Sequence, residues 1–453
     1  MDAQELVADF STAESNLASY IPGGYSPSRC MKLSGMPMVY AIYAYAGCAI
    51  MFFGYDTAVM SQVNINPDYL RTMGVAGGTD RDAAAIGGLV SLWFGGFAIA
   101  GAMMVGYTAD RVGRLKTIQF GCIWGILGAV LLATAQNISW FACARVISGI
   151  GCGYLNTIVP VWTSELAPAN MRGAFVAVQF TLAMVGSALV YWLEYACVKT
   201  RSLSFAWRFP NAFQIIFLLV LLAFGPFYPE SPRYLAKIGK IDHAKSILQK
   251  CRIDPNEENI DNEMEEILDA IRLEASDSNP SFYNMLFTSD KLHTRRRVFL
   301  GAGVQIMQKF TGIDFIAANK FGAGVAAILY VYTFIYGSTW LTTCWVYPTE
   351  VFPLATRSKG TAIATFAFSV AGGTINMIIP YLISAIGFWV FILFALINLV
   401  MLVPIYLFYI ETANRHLEDL DLLFASKSSF VWRAEQEFAD AKRPQGASHD
   451  ATN

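Results

Sequence analysis

Ten long apolar runs constrain the fold of this chain more than any other feature. A helix needs about 20 mostly apolar residues to cross a bilayer, and lipid leaves an unpaired backbone group unsatisfied. Of the 453 residues, 55% are hydrophobic and only 15% are charged, whereas about 25% are charged in an ordinary soluble domain. The sequence therefore predicts an all-α membrane protein. The predicted spans cover residues 38–62, 85–107, 116–136, 139–162, 174–197, 209–228, 298–318, 323–347, 361–385 and 387–409.

The charged residues lie mostly outside these runs and divide the chain into segments. We expect an N-terminal cytoplasmic segment, a six-helix bundle, a cytoplasmic loop with short helices, a four-helix bundle and a cytoplasmic tail. These segments are 1–37, 38–228, 229–297, 298–410 and 411–453. Basic residues flank both ends of the central loop, so the positive-inside rule places that loop and, with ten spans, both termini in the cytoplasm.

Several functional classes are excluded by composition and spacing. The net charge of −2 and the lack of a basic stripe argue against nucleic acid as a partner. The four histidines fall in polar segments and the eight cysteines show no C-x-x-C spacing, which predicts no metal site and no cofactor. Without a nucleophile–base arrangement or a phosphate-binding loop, the chain is not expected to be an enzyme.

A charge cluster occurs twice, once in each half of the chain. Glu165 after span four is followed seven residues later by Arg172, and Glu350 after span eight is followed seven residues later by Arg357. Matched clusters of this kind indicate two homologous halves. Two halves related in this way are the parallel-repeat design of major facilitator transporters.

The loop between spans two and three carries a distinctive signature. It reads Gly-Tyr-Thr-Ala-Asp-Arg-Val-Gly-Arg over residues 106–114. Its glycines permit a tight turn between helices, and its acid and arginines form a charge cluster that can be made and broken. The residues concerned are Gly106, Asp110, Arg111, Gly113 and Arg114.

Four further motifs extend the match over nearly the whole chain. They are Phe-Gly-Tyr-Asp ending at Asp56, Arg-x-x-x-Gly-x-Gly-x-Gly beginning at Arg145, Pro-Glu-Ser-Pro-Arg containing Glu230 and Arg233, and Trp-Val-Tyr-Pro beginning at Trp345. With these motifs the chain resembles the sugar porter family of the major facilitator superfamily. Its C-terminal motif is similar to that of fungal members.

This resemblance implies a secondary active transporter built from two helix bundles. The implied solute is a monosaccharide, with hexose first and a pentose, inositol, glycerol or a cyclic acid behind it. The implied partners are this sugar or polyol, protons and the lipid bilayer, and the implied location is the plasma membrane. Facilitated diffusion, a sugar sensor on the same fold and an inactive form of the transporter remain alternatives.

Asp56 and Arg145 are the pair expected to couple transport to protons. In the resembled family, an aspartate at the first position together with the arginine of the fourth helix is typical of proton symporters. Ionisable groups inside the bilayer are costly and mark pathways or relays. Arginine keeps its charge, whereas a buried aspartate can take up a proton. The alternative is an ion pair that only fixes two helices.

The charged residues at the expected cytoplasmic helix ends are predicted to lock a gate. Glu165 with Arg172, and Glu350 with Arg357, are expected to act as gate locks rather than as solute contacts. The full set of gate and motif residues is Gly106, Asp110, Arg111, Gly113, Arg114, Glu165, Arg172, Glu230, Arg233, Glu350 and Arg357.

Solute contacts are expected where amides and aromatic rings meet. Sugar hydroxyls need groups that both donate and accept, and the C–H side of a sugar ring packs on aromatic faces. The resemblance points to Gln179, Gln308, Asp314 and Trp345 as solute contacts.

The sequence departs from the family at these same positions. The adjacent amides that the family usually carries on its fifth and seventh helices are replaced, because Phe180 follows Gln179 and Lys309 follows Gln308. Lys309 could pair with Asp314 or favour a charged solute.

The largest departure is a deletion. After Lys320 the family would add two further helices with a second copy of the loop signature, but this chain continues directly into the family's tenth helix. We expect the loss to leave Gln305, Gln308 and Asp314 facing lipid, and the protein to be poorly stable and weakly active or inactive. A splice form, an error in the gene model and a degenerate transporter are all compatible with this gap.

Overall fold

The first half of the chain folds as six long helices. This computed structural model describes residues 33–103, 108–167, 172–199, 202–252, 257–276, 285–286, 293–311, 331–352, 356–412, 420, 423–424 and 430–442. The six helices are α1 (Met36–Ala58), α2 (Asp80–Met103), α3 (Arg114–Thr134), α4 (Ile138–Leu166), α5 (Arg172–Val198) and α6, which has two parts, Leu203–Phe213 and Ile215–Phe224. Each contains a stretch long and apolar enough to cross a membrane.

Short amphipathic helices follow, and then the helices of the second half. The loop helices are α7 (Pro232–Lys237), α8 (Ile241–Cys251) and α9 (Glu257–Ser276). The second half contains α10 (Thr294–Phe310), α11 (Thr342–Val351), α12 (Arg357–Ile386) and α13 (Trp389–Phe408), and α14 (Val431–Lys442) lies in the C-terminal tail. A turn of π-helix over Gly337–Leu341 joins α11 to helical residues 331–336.

The described residues confirm the predicted all-α membrane fold. They contain eight helices with the length and composition of membrane spans, six in the first half and two, α12 and α13, in the second. The other two predicted spans, 298–318 and 323–347, run into residues 312–330, which lie outside the described residues. The predicted total of ten is therefore not tested.

Close backbone contacts at glycines hold the first bundle together. A Cβ atom added to Gly96 on α2 would lie 2.0 Å from the carbonyl oxygen of Val146 on α4, and one on Gly149 would lie 2.1 Å from that of Trp93. Small residues allow such approach where the hydrophobic effect does not drive helices together. This contact fixes Trp93 against α4.

Two adjacent glycines on α2 provide a test of this packing. We expect Gly96→Ala to destabilise the bundle by about 1–3 kcal/mol, because the added methyl group overpacks the α2–α4 contact. Gly95→Ala is the control, since a Cβ atom there has no neighbour within 4 Å. Thermal unfolding of the detergent-solubilised protein measures both variants. Equal unfolding temperatures for the two would contradict the packing described.

The two halves meet along α2 and α12. The Ser91 hydroxyl on α2 donates to the carbonyl oxygen of Gly373 on α12 at 2.9 Å. Near one end of this contact, a Cβ atom added to Gly87 would lie 3.1 Å from Pro380. Near the other end, a Cβ atom added to Gly101 would lie 3.6 Å from the carbonyl oxygen of Ala362.

The expectation that Gln305 and Gln308 face lipid is wrong. Each residue is only 1% exposed. The Gln305 amide donates to the carbonyl oxygen of Cys344 at 3.0 Å, and the Gln308 amide donates to the Tyr336 hydroxyl at 3.2 Å. Both amides point from α10 toward the helix that ends as α11. Asp314 lies outside the described residues.

Large apolar side chains are exposed on the described helices of the second half. Phe334 is 76% exposed, and along α13 the side chains of Val400 and Tyr406 are 68% and 79% exposed. Only 11% of the apolar, membrane-spanning stretch of α13 is buried, compared with 39% of the corresponding stretch of α6 in the first half. Apolar side chains of α13 are therefore exposed, whereas the Gln305 and Gln308 amides of α10 are buried.

Candidate functional site: a buried acid, a central cleft and a charge cluster

The carboxylate of Asp56 is completely buried between three helices of the first half. The Trp93 indole Nε1 on α2 donates to its Oδ2 at 2.6 Å, and the Ser148 hydroxyl on α4 contacts Oδ1 at 3.1 Å and Oδ2 at 2.9 Å. Arg145 Nη1, also on α4, lies 4.0 Å from Oδ1. The structure thus brings together the two residues predicted to couple protons.

The Asp56–Arg145 contact is loose. At 4.0 Å the two atoms are too far apart for a hydrogen bond. Within the described chain, Arg145 Nε and Nη1 have no hydrogen-bond partner, although the residue is only 1% exposed. The carboxylate is therefore held by Trp93 and Ser148, with the guanidinium as a neighbouring charge. A small movement between α1 and α4 can change the strength of this ion pair.

Sequence reasoning missed Trp93 and Ser148. Ser148 follows Arg145 by three residues, which places both on one face of α4. That spacing was a usable signal. For Trp93 on α2, however, no local pattern indicates that its indole reaches Asp56.

A second feature, the Arg114 cluster, joins the beginning of α3 to the end of α4. It consists of Asp110, Arg114, Glu165 and Glu230. Arg114 Nε and Nη2 donate to the two carboxylate oxygens of Glu165, both at 3.0 Å. Its Nη1 donates to the carbonyl oxygen of Ala109 at 3.1 Å and lies 3.4 Å from Asp110 Oδ1. Such two-pronged pairing is the strongest form of arginine–carboxylate contact.

Glu230 caps the first turn of α3 from outside the helix. Its carboxylate accepts the backbone N–H of Arg114 at 3.0 Å and that of Leu115 at 3.2 Å, a favourable place for a negative charge. Gly113 precedes this turn with φ +97°, and a Cβ atom there would lie 2.7 Å from Glu230 Oε2. Burial raises the pKa of Glu230, and these backbone hydrogen bonds and Arg114 act against that shift.

Asp110 is surrounded by cations from both halves. Burial acts to raise the pKa of Asp110, but the charges of Arg114, Lys237, Arg233 and Lys359 outweigh it and lower that pKa. Lys237 Nζ lies 3.6 Å from Asp110 Oδ2. Because Lys359 belongs to α12, the negative charge of Asp110 favours contact between the halves at this end of the molecule.

Not every predicted gate residue is placed. The Tyr234 hydroxyl on α7 donates to the backbone carbonyl oxygen of Arg111, and Glu350 lies half-buried in α11. The described partner of Glu165 is Arg114 rather than the predicted Arg172. Outside the description lie Gly106 and the side chains of Arg172 and Arg357.

Four buried aromatic side chains from four helices pack together between the two halves, in a region that we call the central cleft: Phe53, Phe180, Trp345 and Phe368. The Trp345 ring on α11 stacks on Phe180 of α5 with centroids 5.1 Å apart and planes 12° apart. Phe368 of α12 meets the same ring edge-on at 5.1 Å, and Phe53 of α1 does so at 6.2 Å. Both halves therefore contribute to one aromatic surface.

Buried polar atoms without partners lie on α11, which contributes to this cleft, and on two further helices, α10 and α4. Among the described residues, Trp345 Nε1, Gln308 Oε1 and both amide atoms of Asn156 on α4 make no hydrogen bond, although each side chain is almost fully buried. Such groups are uncommon in folded proteins unless a ligand, water or conformational change satisfies them. Asn156 was not identified from the sequence.

Gln179 is directed differently from its neighbour. The Thr163 hydroxyl on α4 donates to Gln179 Oε1 at 3.5 Å, whereas Phe180 is the α5 side chain that reaches Trp345. The structure thus places Phe180, but not Gln179, against Trp345 and turns the carbonyl of Gln179 toward α4.

Comparison with known proteins identifies the same architecture. The chain matches the family model described as "Sugar (and other) transporter" over residues 41–318 and 315–424. It is 28% identical to the MFS-type transporter criB of Aspergillus cristatus, covering 86% of this chain and 94% of criB. It is 25% identical to the sugar transporter STL1 of Saccharomyces cerevisiae, covering 87% of this chain and 82% of STL1.

Solved structures match the fold as well. The proton:xylose symporter XylE, solved with 6-bromo-6-deoxy-D-glucose, superposes with a TM-score of 0.73 at 22% identity, covering 86% of this chain and 99% of XylE. At that identity the likeness concerns the fold alone.

The alignments also bear on the gap in the second half. The alignment with criB has 467 positions but takes in only 86% of the 453 residues of this chain. The aligned positions outnumber the residues that enter the alignment, so part of criB faces gaps in this chain. The two segments of the family match overlap at residues 315–318, close to Lys320, after which the sequence predicts the gap.

Helix order, membrane spans and the family match agree with one another. The relatives found by these comparisons are transporters rather than enzymes, as the sequence predicts. The chain is a multi-pass membrane protein of the major facilitator fold and belongs to the sugar (and other) transporter family.

Proposed function

We propose that this protein carries a monosaccharide, with hexose first, across the plasma membrane by alternating access. The observation that carries this proposal is the central cleft, where the Trp345 indole has no hydrogen-bond partner among the described residues, together with the Gln308 carbonyl on α10, which has none there either. A sugar ring offers hydroxyls to such groups and C–H faces to the aromatic rings. The names of two similar proteins, a sugar transporter and a xylose symporter, support the choice of solute class.

We propose proton symport as the driving mechanism, with Asp56 as the carboxylate that takes up the proton. Protonation of Asp56 removes the charge that faces Arg145, so the attraction between α1 and α4 weakens. The two arrangements of this pair then differ in proton content. Solute binding between the halves selects one arrangement, which couples the proton to the solute.

The Arg114 cluster fits the role of a gate lock in this cycle. We place it on the cytoplasmic side, together with both termini and the loop 229–297, and we retain the five segments predicted from the sequence. The cluster ties α3, α4 and α7 together, and Lys359 of the second half approaches Asp110 in the closed arrangement.

Removing the Glu165 carboxylate tests the gate assignment. The side chains of Arg114 and Glu165 are only 5% and 6% exposed, and deleting one partner of a buried pair destabilises that arrangement by about 3–5 kcal/mol. We expect Glu165→Ala to lower turnover by about tenfold or more, with little change in solute affinity. Initial uptake rates over a range of solute concentrations separate the two effects.

Glu258→Ala on the exposed face of α9 is the matched control and is expected to leave both turnover and solute affinity unchanged. Altered solute selectivity with normal turnover in Glu165→Ala would show that Glu165 contacts the solute rather than a gate.

A transport assay with a panel of solutes tests the proposed function itself. A host that lacks its own hexose uptake would express the chain, and radiolabelled hexose, pentose, inositol and glycerol would be compared. Saturable uptake of one sugar, inhibited by unlabelled competitors of the same class, is expected. Surface expression without uptake of any solute in the panel would contradict the proposal.

A further inference from the structure

A groove between α10 and α13 has no part in the proposed transport cycle. Its volume is about 500 Å³. Phe299, Gly303 and Met307 line it from α10, and Pro404 and Phe408 line it from α13. The Phe299 side chain is 58% exposed. The groove is therefore apolar over most of its length and, in the described part of the chain, accessible from outside the bundle.

Basic residues line the groove at the beginning of α10. They are His293, Arg295 and Arg296. Arg295 is exposed, and its guanidinium lies over the Phe299 ring, 5.7 Å from the ring centroid. The guanidinium of Arg296 lies over a different ring, that of Phe424, at 5.3 Å. Among the described residues that line the groove, none is acidic. This end of the groove is therefore positively charged.

The lining residues of α10 extend from this charged end into the apolar part of the helix. Arg295, Phe299, Gly303 and Met307 follow one another at four-residue spacing, which keeps neighbouring members on the same side of the helix. At about 1.5 Å per residue they extend over about 18 Å. Half of a hydrocarbon core of about 30 Å is slightly shorter than this length. The groove thus has the depth of one leaflet of the bilayer.

A cation at one end and apolar side chains over the remaining length fit a phospholipid with a net negative charge. A phosphate group accepts paired hydrogen bonds from a guanidinium such as that of Arg295. An acyl chain packs against apolar side chains, and basic pockets between membrane helices bind anionic headgroups. A soluble phosphate would leave the apolar length of the groove unfilled, which favours a lipid as the source of the phosphate.

We propose that the groove between α10 and α13 binds one anionic phospholipid, with its phosphate on Arg295 and an acyl chain along Phe299 and Met307. Such a lipid contacts both helices at once. Only 11% of the apolar, membrane-spanning stretch of α13 is buried by the protein, so the bound lipid fastens α13 to the rest of the second half. This site is separate from the solute pathway and does not depend on which solute is transported.

Binding of fluorescent phospholipids to the purified 453-residue chain in detergent tests this proposal. Phosphatidylserine and phosphatidylcholine with identical acyl chains are compared by fluorescence anisotropy. We expect phosphatidylserine to bind about fivefold more tightly or better, as one arginine at the membrane surface supplies. Soluble glycerophosphoserine, which has the same headgroup without acyl chains, is expected not to displace the bound lipid.

Two matched pairs of variants locate the site. Arg295→Gln should abolish the preference for phosphatidylserine. Arg272→Gln removes the same charge from loop helix α9, where the side chain is 73% exposed, and should keep the preference. Met307→Trp fills the groove and should weaken the binding of both lipids by about fivefold or more. Ile306→Trp, at the neighbouring exposed position of α10, should weaken neither.

Equal affinities of the wild-type chain for the two lipids would overturn the proposal. Displacement of the bound lipid by glycerophosphoserine, at the concentration where intact phosphatidylserine displaces it, would overturn it as well, because the groove would then play no part. Equal loss of the preference in Arg295→Gln and Arg272→Gln would show attraction to net charge alone and would also overturn it. The first two comparisons use wild-type protein only, so they decide the matter even where a variant does not fold.

Discussion

Asp56→Asn is expected to abolish accumulation of solute driven by a pH gradient and to leave exchange of solute measurable. Asparagine can still accept hydrogen bonds from Trp93 and Ser148, which hold the native carboxylate at 2.6 Å and 2.9 Å. It cannot take up a proton, so its charge state no longer changes opposite Arg145. The proton and the solute then lose their coupling, while the solute site keeps its shape.

Two assays on the same proteoliposomes measure this result. Accumulation is followed after imposing an inward proton gradient, and exchange is followed with equal solute concentration on both sides. Asp269→Asn is the matched control, because the same atoms are changed on a side chain that is 58% exposed on loop helix α9. Accumulation in Asp56→Asn equal to that of the wild type would remove Asp56 from the coupling mechanism.

Insertion of the two helices that the family has and this chain is predicted to lack is expected to raise uptake by about tenfold or more. The two helices would be taken from a relative and inserted between α10 and the helix that ends as α11. Alternating access needs two bundles that move around a site between them. In this chain α13 is largely uncovered by the rest of the second bundle, since only 11% of the apolar, membrane-spanning stretch of α13 is buried. A helix pair that packs against α13 would complete the wall of the solute pathway.

The structure changes the reason for this expectation. We first expected polar side chains to face lipid, but Gln305 and Gln308 are buried. The absence of two helices is therefore expected to make the second bundle less rigid and the pathway wall incomplete. It is not expected to expose polar groups to lipid. Growth on hexose and initial uptake rates would compare the original chain with the restored one. A chain extended by two helices of equal length and unrelated apolar sequence is the control. Equal, saturable uptake by the original and restored chains would show that the missing wall is dispensable.

The sequence predicted those features that depend on local pattern. Long apolar runs located the membrane helices, because lipid requires the backbone to be satisfied within each span. The rarity of charge inside a span identified Asp56 and Arg145, and the structure brings them within 4.0 Å. The family's motifs identified Arg114 and Glu165 as gate residues, although not as each other's partners.

What the sequence did not reveal depends on contacts between distant segments. Trp93 approaches Asp56 because α2 packs closely on α4, and no spacing along the chain encodes that distance. The direction of Gln308 was mistaken because an amide on an apolar helix can face either lipid or a neighbouring helix. Lys309 was noted as a departure from the family, but only its position between Phe94 and Phe368 connects it to the central cleft.

Counterflow tests the central claim, that this chain moves a monosaccharide through the cleft between its two halves. Purified protein is reconstituted into liposomes loaded with unlabelled glucose, and a trace of labelled glucose is added outside. Because counterflow needs no proton gradient, it detects the solute pathway even where turnover is slow. The account predicts a transient, saturable overshoot of label that Gln308→Ala reduces and Glu258→Ala leaves unchanged. Label that enters no faster than into protein-free liposomes, for both the original chain and the chain with restored helices, would contradict it.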